Sequence, residues 1–240
     1  MLKITKIKVR VEEKLVVDGM SLAIKPGEVV VLMGPNGSGK SSLAYAVCGH
    51  PKYVSEGKIS LDGLRIDDKE PEKRALAGLF LAMQSPVAVP GLKVFSFLRQ
   101  IYRNRHPEAK LSVAEFRQWL VSQANSLGLG EEFLERSLND GFSGGERKKM
   151  EIMQMLVFGP KYVILDEIDS GLDVEALQKI AKTLASVAKK GKMGVLVITH
   201  YSRLLRYLPV DRVVVMKKGK MVIEGGREIV ERIDKVGFDL

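Results

Sequence analysis

The chain has 240 residues, 45% apolar and 28% charged, which suits one compact domain with a real core. No apolar run approaches the roughly 18–20 residues that cross a bilayer. The opening MLKITKIKVR carries charges throughout, so neither membrane insertion nor a secretion signal is expected, and a cytoplasmic location is the default. A net charge of +9 invites a nucleic-acid reading, yet the basic residues are scattered, with no block longer than Arg147–Lys149 and no interleaved aromatics. Direct nucleic-acid binding is therefore not expected, and the surplus suits a polyphosphate ligand or an acidic partner. The single cysteine, Cys48, excludes an internal disulfide framework and reads as a small buried apolar residue.

Strand-like runs come first: Ile4–Arg10, Ser21–Ile24, and Val29–Met33 after the turn Pro26-Gly27. The loop GPNGSGKSS then leads into a helix that stops at Gly49, before Pro51. GKISLDG (Gly57–Gly63) reads as a short hairpin. Helical periodicity dominates from about Glu72 to Leu138, with Val113, Phe116, Leu120 and Leu127 on one helical face. A strand (Tyr162–Leu165), a helix (Val174–Lys189) and a strand (Gly194–Thr199) follow, then two alternating strands joined at Lys218-Gly219. Strands alternating with helices, the central ones wholly apolar, predict an α/β fold with a mainly parallel sheet covered on both faces. Residues 1–60 suggest an antiparallel side sheet, and the helical middle suggests an insertion.

The phosphate-binding pattern GxxxxGK[ST] is met by Gly34, Pro35, Asn36, Gly37, Ser38, Gly39, Lys40 and Ser41, followed by Ser42. It lies between a predicted strand and a predicted helix. Glycines let successive N–H groups face one concavity, and the helix N-terminus adds positive potential. Lys40 is placed to reach the β- and γ-phosphates, and the Ser41 hydroxyl to bind Mg²⁺. YVILDE (Tyr162–Glu167) ends an apolar strand in two acids. Asp166 suits the metal and Glu167 suits a general base for water; an acidic pair capping the next helix is the bland alternative. Thr199-His200 ends another apolar strand in the same way, where an imidazole can sense the γ-phosphate or be merely structural. Gln84, in FLAMQSPVAVPGL, can offer its amide to the metal or the water. A second glycine turn opens GFSGGERKKMEIMQM (Gly141–Met155), a hundred residues beyond the first.

These pieces, in this order, resemble the ATP-binding cassette ATPases over nearly the whole chain. Residues 34–42 look like the Walker A loop, Gln84 like the Q-loop, and 162–167 like Walker B with its catalytic glutamate. Ser170-Gly171-Leu172-Asp173 looks like the D-loop and His200 like the H-switch, while FSGGE (Phe142–Glu146) stands where the LSGGQ signature usually does. The resemblance implies ATP and Mg²⁺ as cofactors, with Ser41, Gln84 and Asp166 at the metal and Glu167, Gln84 and His200 in catalysis. It implies a RecA-like core with an N-terminal antiparallel β subdomain and an inserted helical subdomain. On this reading one domain covers 1–240, with the core in 1–84 and 156–240 and the helical part in 85–155. It also implies a transient ATP-dependent dimer, in which Ser143, Gly144 and Gly145 act in trans on the partner's nucleotide and Asp173 lies beside it.

The usual aromatic platform for adenine is missing from Val9–Val17. Aliphatic side chains such as Val11 or Val17, or Tyr45 through space, are the alternatives. Within the family, FLAMQSPVAVPG, GFSGGERKKMEIMQM, LDEIDSGLDVEAL and THYSRLL resemble the ATPase subunits of Suf-type iron–sulfur cluster assembly, implying SufB-like and SufD-like scaffold partners. Transporter cassettes usually continue the signature with residues such as QRQRV; here Glu146-Arg147-Lys148-Lys149-Met150-Glu151 follows. A transporter subunit is the alternative reading, and DNA-repair cassettes are disfavoured by the absence of sustained heptads.

Overall fold

Residues 1–238 are described by a computed structural model. The chain opens with two long antiparallel strands, β1 (Leu2–Val11) and β2 (Lys14–Ile24), whose inward residues alternate with exposed ones as a half-buried sheet requires. β3 (Val29–Met33) follows and is buried along its whole length. The loop at 34–39 feeds α1 (Lys40–Cys48), which Gly49 ends in the left-handed conformation. Next come β4 (Tyr53–Leu61), β5 (Leu64–Arg65), α2 (Pro71–Ala77) and β6 (Leu79–Ala82). The helical part comprises β7 (Val89–Lys93), α3 (Val94–Arg105), α4 (Val113–Ser126), β8 (Ser137–Leu138) and α5 (Gly144–Phe158). β9 (Tyr162–Asp166), α6 (Val174–Gly191), β10 (Gly194–Ile198), β11 (Arg212–Lys217), β12 (Lys220–Gly225) and α7 (Glu228–Val236) complete the chain.

Six strands form the central sheet in the order β12-β11-β3-β10-β9-β6. All neighbours pair in parallel except β12, which returns antiparallel on β11. Both faces are covered. Val30, Leu32, Ile164, Leu196 and Ile198 face a core shared with α1 and the antiparallel sheet β2-β1-β4-β5. Val29, Val31, Val163, Leu165, Val195 and Val197 face the second core, built with the helical part and α6. The period-two alternation of strand side chains sends neighbours to opposite cores, which is why these strands read as unbroken apolar runs.

Local departures from the sequence-based expectations have physical causes. β2 begins at Lys14, well before Ser21, because Asp18-Gly19 is absorbed in a register shift against Ile7–Val9 and does not end the strand. Gly57 lies inside β4, and the turn to β5 falls at Asp62-Gly63, so the expected short hairpin is one half of a longer pairing with β1. The segment 72–138 also contains strands: β6 joins the central sheet beside β9, and β7 pairs with β8. On α4, Phe116, Leu120 and Ala124 are buried and Leu127 lies buried just beyond, while Val113 is 54% exposed. Helical side chains lean toward the N-terminus, so a first-turn residue reaches past the core.

Gly57 sits at φ +124°, where a Cβ would lie 2.8 Å from Ile7 Cα and 2.9 Å from the Lys6 carbonyl oxygen. Both neighbours are backbone and cannot step aside. Gly57→Ala is expected to cost about 3 kcal/mol from backbone strain and overpacking. A urea titration should show a lower midpoint with an unchanged slope.

Candidate nucleotide site

Four strands of the parallel sheet deliver the expected residues to one edge. Ile198 of β10 registers with Leu32 of β3 on one side and Asp166 of β9 on the other, and Ala82 of β6 registers with Leu165. The residues just past these ends are the glycine loop, Glu167, His200 and Gln84. This is the carboxyl edge of an open α/β sheet, where ligands bind.

The loop is moulded to its surroundings. A Cβ on Gly34 would collide with the Met216 carbonyl oxygen of β11, and one on Gly39 would lie 2.5 Å from the Val16 carbonyl oxygen of β2. Gly39 is also left-handed, at φ +103°. Lys40 is buried, and its Nζ donates to the carbonyl oxygens of Gly34 (2.8 Å) and Pro35 (3.0 Å) and to Ser38 Oγ (3.4 Å). Burial lowers the Lys40 pKa, while Glu167 and Asp166 oppose that shift.

Asp166 is fully buried at the end of β9. Its Oδ1 accepts from Ser41 Oγ at 3.0 Å, while its Oδ2 is buried with no hydrogen-bond partner. Burial raises its pKa, with Ser41 pulling the other way. An unsatisfied carboxylate oxygen beside a hydroxyl is a hard-oxygen donor set that fits Mg²⁺. Glu167 adopts φ +50°, uncommon for a residue with a side chain, and its N–H donates to the Ile198 carbonyl oxygen at 2.9 Å. Its carboxylate bridges two partners: Oε2 accepts from Gln84 Nε2 at 2.5 Å, and Oε1 lies 3.1 Å from His200 Nδ1. Loop, Gln84, Glu167 and His200 line one cavity of about 290 Å³.

Other expected residues stand elsewhere. Ser143, Gly144, Gly145 and Asp173 do not line that cavity. Ser143 caps α5 in a reciprocal capping box: Glu146 N–H donates to Ser143 Oγ (3.3 Å) and Ser143 N–H donates to Glu146 Oε2 (2.7 Å). Ser143 and Gly144 are exposed. Asp173 caps α6, accepting from Ala176 N–H at 2.7 Å. Val17 is completely buried and has no surface to give adenine, whereas Val11 and Val16 keep partial exposure. Tyr45 lies outside this cavity, stacked on Tyr53 at 5.2 Å between ring centres. Cys48 packs against the core beneath α1, and burial pushes its thiol up to about 12.

Three residues given no role at the site by the sequence reading support it. Asp169, 4% exposed, accepts from Thr199 Oγ1 at 2.8 Å and so ties β9 to the turn that carries His200. Lys148 and Glu151, both buried on α5, bond to the backbone around Gln84. The available signal was charged residues within a helical stretch otherwise filled by the apolar Met150, Ile152, Met153 and Met155.

A glycine loop with a buried lysine, a magnesium-competent serine–aspartate pair and an adjoining carboxylate define a phosphate-loop nucleotide hydrolase. Residues 17–170 match the family described as ABC transporter, and the chain belongs to the ATP-binding cassette family. It is an ATPase that uses ATP and Mg²⁺. A probable ABC transporter ATP-binding protein of Streptococcus pyogenes is 44% identical over 239 residues, covering 99% of this chain and 93% of that protein. A probable ATP-dependent transporter of Antithamnion sp., ycf16, is 40% identical over 243 residues, covering 100% and 96%. Among solved structures, a dimeric ATP-binding cassette in a post-hydrolysis state with ADP and Pi shares the fold at TM-score 0.79 and 23% identity. That match covers 94% of this chain and 98% of the other. No helix among the described residues is long and apolar enough to cross a membrane.

Replacing Lys40 by Ala removes the one ammonium inside the loop. ATP binding followed by calorimetry is expected to weaken by about 10- to 100-fold, the scale of one or two charge-assisted hydrogen bonds. Unchanged affinity would remove Lys40 from the phosphate site.

Proposed function

We propose that the nucleotide's phosphates lie in the loop from Gly34 to Ser42, with Lys40 turning from its own loop carbonyls to the β- and γ-phosphates. Ser41, Asp166 and the side-chain amide oxygen (Oε1) of Gln84 are the residues that would hold Mg²⁺. The ion, when bound, neutralises charge on the phosphates. Glu167 acts as general base. A water oxygen attacks the γ-phosphorus, its proton passes to the Glu167 carboxylate, and the bond to the β–γ bridging oxygen breaks as ADP leaves. Gln84 and His200 orient Glu167 and the water. The observation that carries this reading is the Glu167 carboxylate held between Gln84 and His200 above the loop.

We further propose that the site is completed by a second copy. Ser143, Gly144 and Gly145 form an anion-binding helix start that is exposed and absent from its own chain's cavity. Set over the γ-phosphate of another copy, with Asp173 nearby, they make ATP the link between two chains. Hydrolysis then removes the shared phosphate and releases the pair. The dimeric arrangement of the cassette solved with ADP and Pi supports this.

As to what the cycle drives, we infer a SufC-type subunit of a cytoplasmic iron–sulfur cluster assembly complex that rearranges SufB-like and SufD-like scaffold partners. Support comes from the words around Gln84, Walker B and His200, and from ERKKME after the signature. The segment after Gln84 offers Val87, 73% exposed, and Val89, 39% exposed, as an apolar partner surface. The printed names of the relatives favour a second reading, the ATP-binding subunit of a transporter. Native mass spectrometry after co-expression with scaffold candidates separates the two. ATP-sensitive complexes with SufB-like and SufD-like subunits are expected, and recovery only with membrane permease subunits would favour the transporter.

Glu167→Gln is expected to bind ATP normally, lose hydrolysis by at least about a hundredfold as removal of a general base does, and accumulate as a dimer on gel filtration with ATP. Turnover near the wild-type rate would exclude Glu167 as the base.

A further inference from the structure

At the point where β6 leaves the sheet, its backbone still needs partners. Ala82 is the last residue of β6 registered with β9, opposite Leu165. Beyond it the chain turns toward the site, and a buried N–H or C=O left unpaired there would be costly. Two of the next backbone polar groups are taken by side chains of α5. Met83 N–H donates to Glu151 Oε2 at 3.1 Å, and Lys148 Nζ donates to the Gln84 carbonyl oxygen at 2.6 Å. Positions 148 and 151 are three apart and so share one helix face.

Both side chains are sunk into the protein, Lys148 at 5% and Glu151 at 6% exposure. Buried charges are expensive, and apolar side chains would fill the same space at lower cost. Each here is partly compensated. Glu151 Oε1 accepts from Gln154 Nε2 at 2.9 Å, and burial raises the Glu151 pKa while the Met83 and Gln154 bonds and Lys148 oppose that shift. Lys148 lies in the field of Asp166, Glu151, Glu167 and Asp169, which opposes the lowering of its pKa by burial. These are also the residues that replace the usual transporter continuation after the signature. The other end of the pinned segment is the Gln84 side chain, 2.5 Å from Glu167.

We propose that Lys148 and Glu151 are positioning residues for ATP hydrolysis, gripping the backbone of Met83-Gln84 so that the Gln84 amide stays on the Glu167 carboxylate. α5 is capped by Ser143, and any tilt of this helix carries the gripped backbone with it and shifts Gln84 against Glu167. The clamp links the helical part mechanically to the reacting carboxylate. This inference rests on the roles proposed above for Glu167 and Gln84 and is independent of whether the partner is a cluster scaffold or a permease.

The test is steady-state ATP hydrolysis by the full chain, at protein concentrations where wild-type turnover is measurable, beside calorimetric ATP binding and thermal melting. Lys148→Met and Glu151→Leu are expected to lower kcat about tenfold, the worth of one buried charge-assisted hydrogen bond, with KM and ATP affinity nearly unchanged. Glu151→Gln keeps an oxygen for Met83 N–H and should recover most of the lost kcat. In a Gln84→Ala background, Lys148→Met should cost little more, because its effect passes through Gln84. Hydrogen exchange should show the Met83 amide deprotected in Glu151→Leu. The proposal is overturned if kcat and ATP affinity fall together, if the Lys148→Met loss persists undiminished without Gln84, or if neither variant folds. Should only Glu151→Leu fail to fold, Lys148→Met carries the test.

Discussion

Parallel hydrogen bonding among β6, β9, β10 and β3 is the constraint on which the rest depends. A parallel ladder in register sends the chain ends of all its strands the same way, so residues distant in sequence meet at one edge. Asp166, Ile198 and Leu32 stand side by side across three strands. Each strand then hands over its next residues: Glu167, His200, the glycine loop and Gln84. The burial of both sheet faces holds this alignment, because a slip of one residue would send every core side chain to the wrong face.

That edge concentrates acid. Asp166, Glu167 and Asp169 come from the end of β9 and the residues just after it, and Glu151 approaches from α5. Lys40 and Lys148 are the buried cations that answer them, one from the loop and one from the signature helix. The two lysines are placed differently. Lys40 rests on carbonyls of a loop that a phosphate can replace as acceptor, whereas Lys148 holds a carbonyl of the segment that carries Gln84. One cation is arranged to change partners and the other to hold one.

Glu167 carries backbone strain in the same place, at φ +50°, fixed by its N–H bond to Ile198 and by its two side-chain partners. Backbone strain persists only where the surroundings over-determine it. The ties from Asp169 to Thr199, from His200 to Glu167, and from Lys148 and Glu151 to the Gln84 segment form that surrounding. The Glu167 carboxylate is thus connected both to the central sheet and to the helix capped by Ser143.

The glycine loop, the acids ending YVILDE and the apolar central strands were legible in the sequence because their spacing is local and their composition extreme. The α/β class and the membership of the ATP-binding cassette family followed from those same stretches. Strand lengths were less legible: the expected strands start at Ser21 and Gly57, yet Gly19 and Gly57 sit inside longer strands, since a neighbouring strand can absorb a left-handed residue in a bulge. Residue order alone sets which residue types stand at the strand ends and where the second glycine turn begins. Which oxygen meets which nitrogen is set by the packing of distant segments. Glu167 faces Gln84 and His200, Tyr45 and Val17 are turned away from the nucleotide cavity, and Lys148 and Glu151 hold a backbone more than sixty residues away. Such contacts depend on packing between segments far apart in the chain, and no local spacing encodes them.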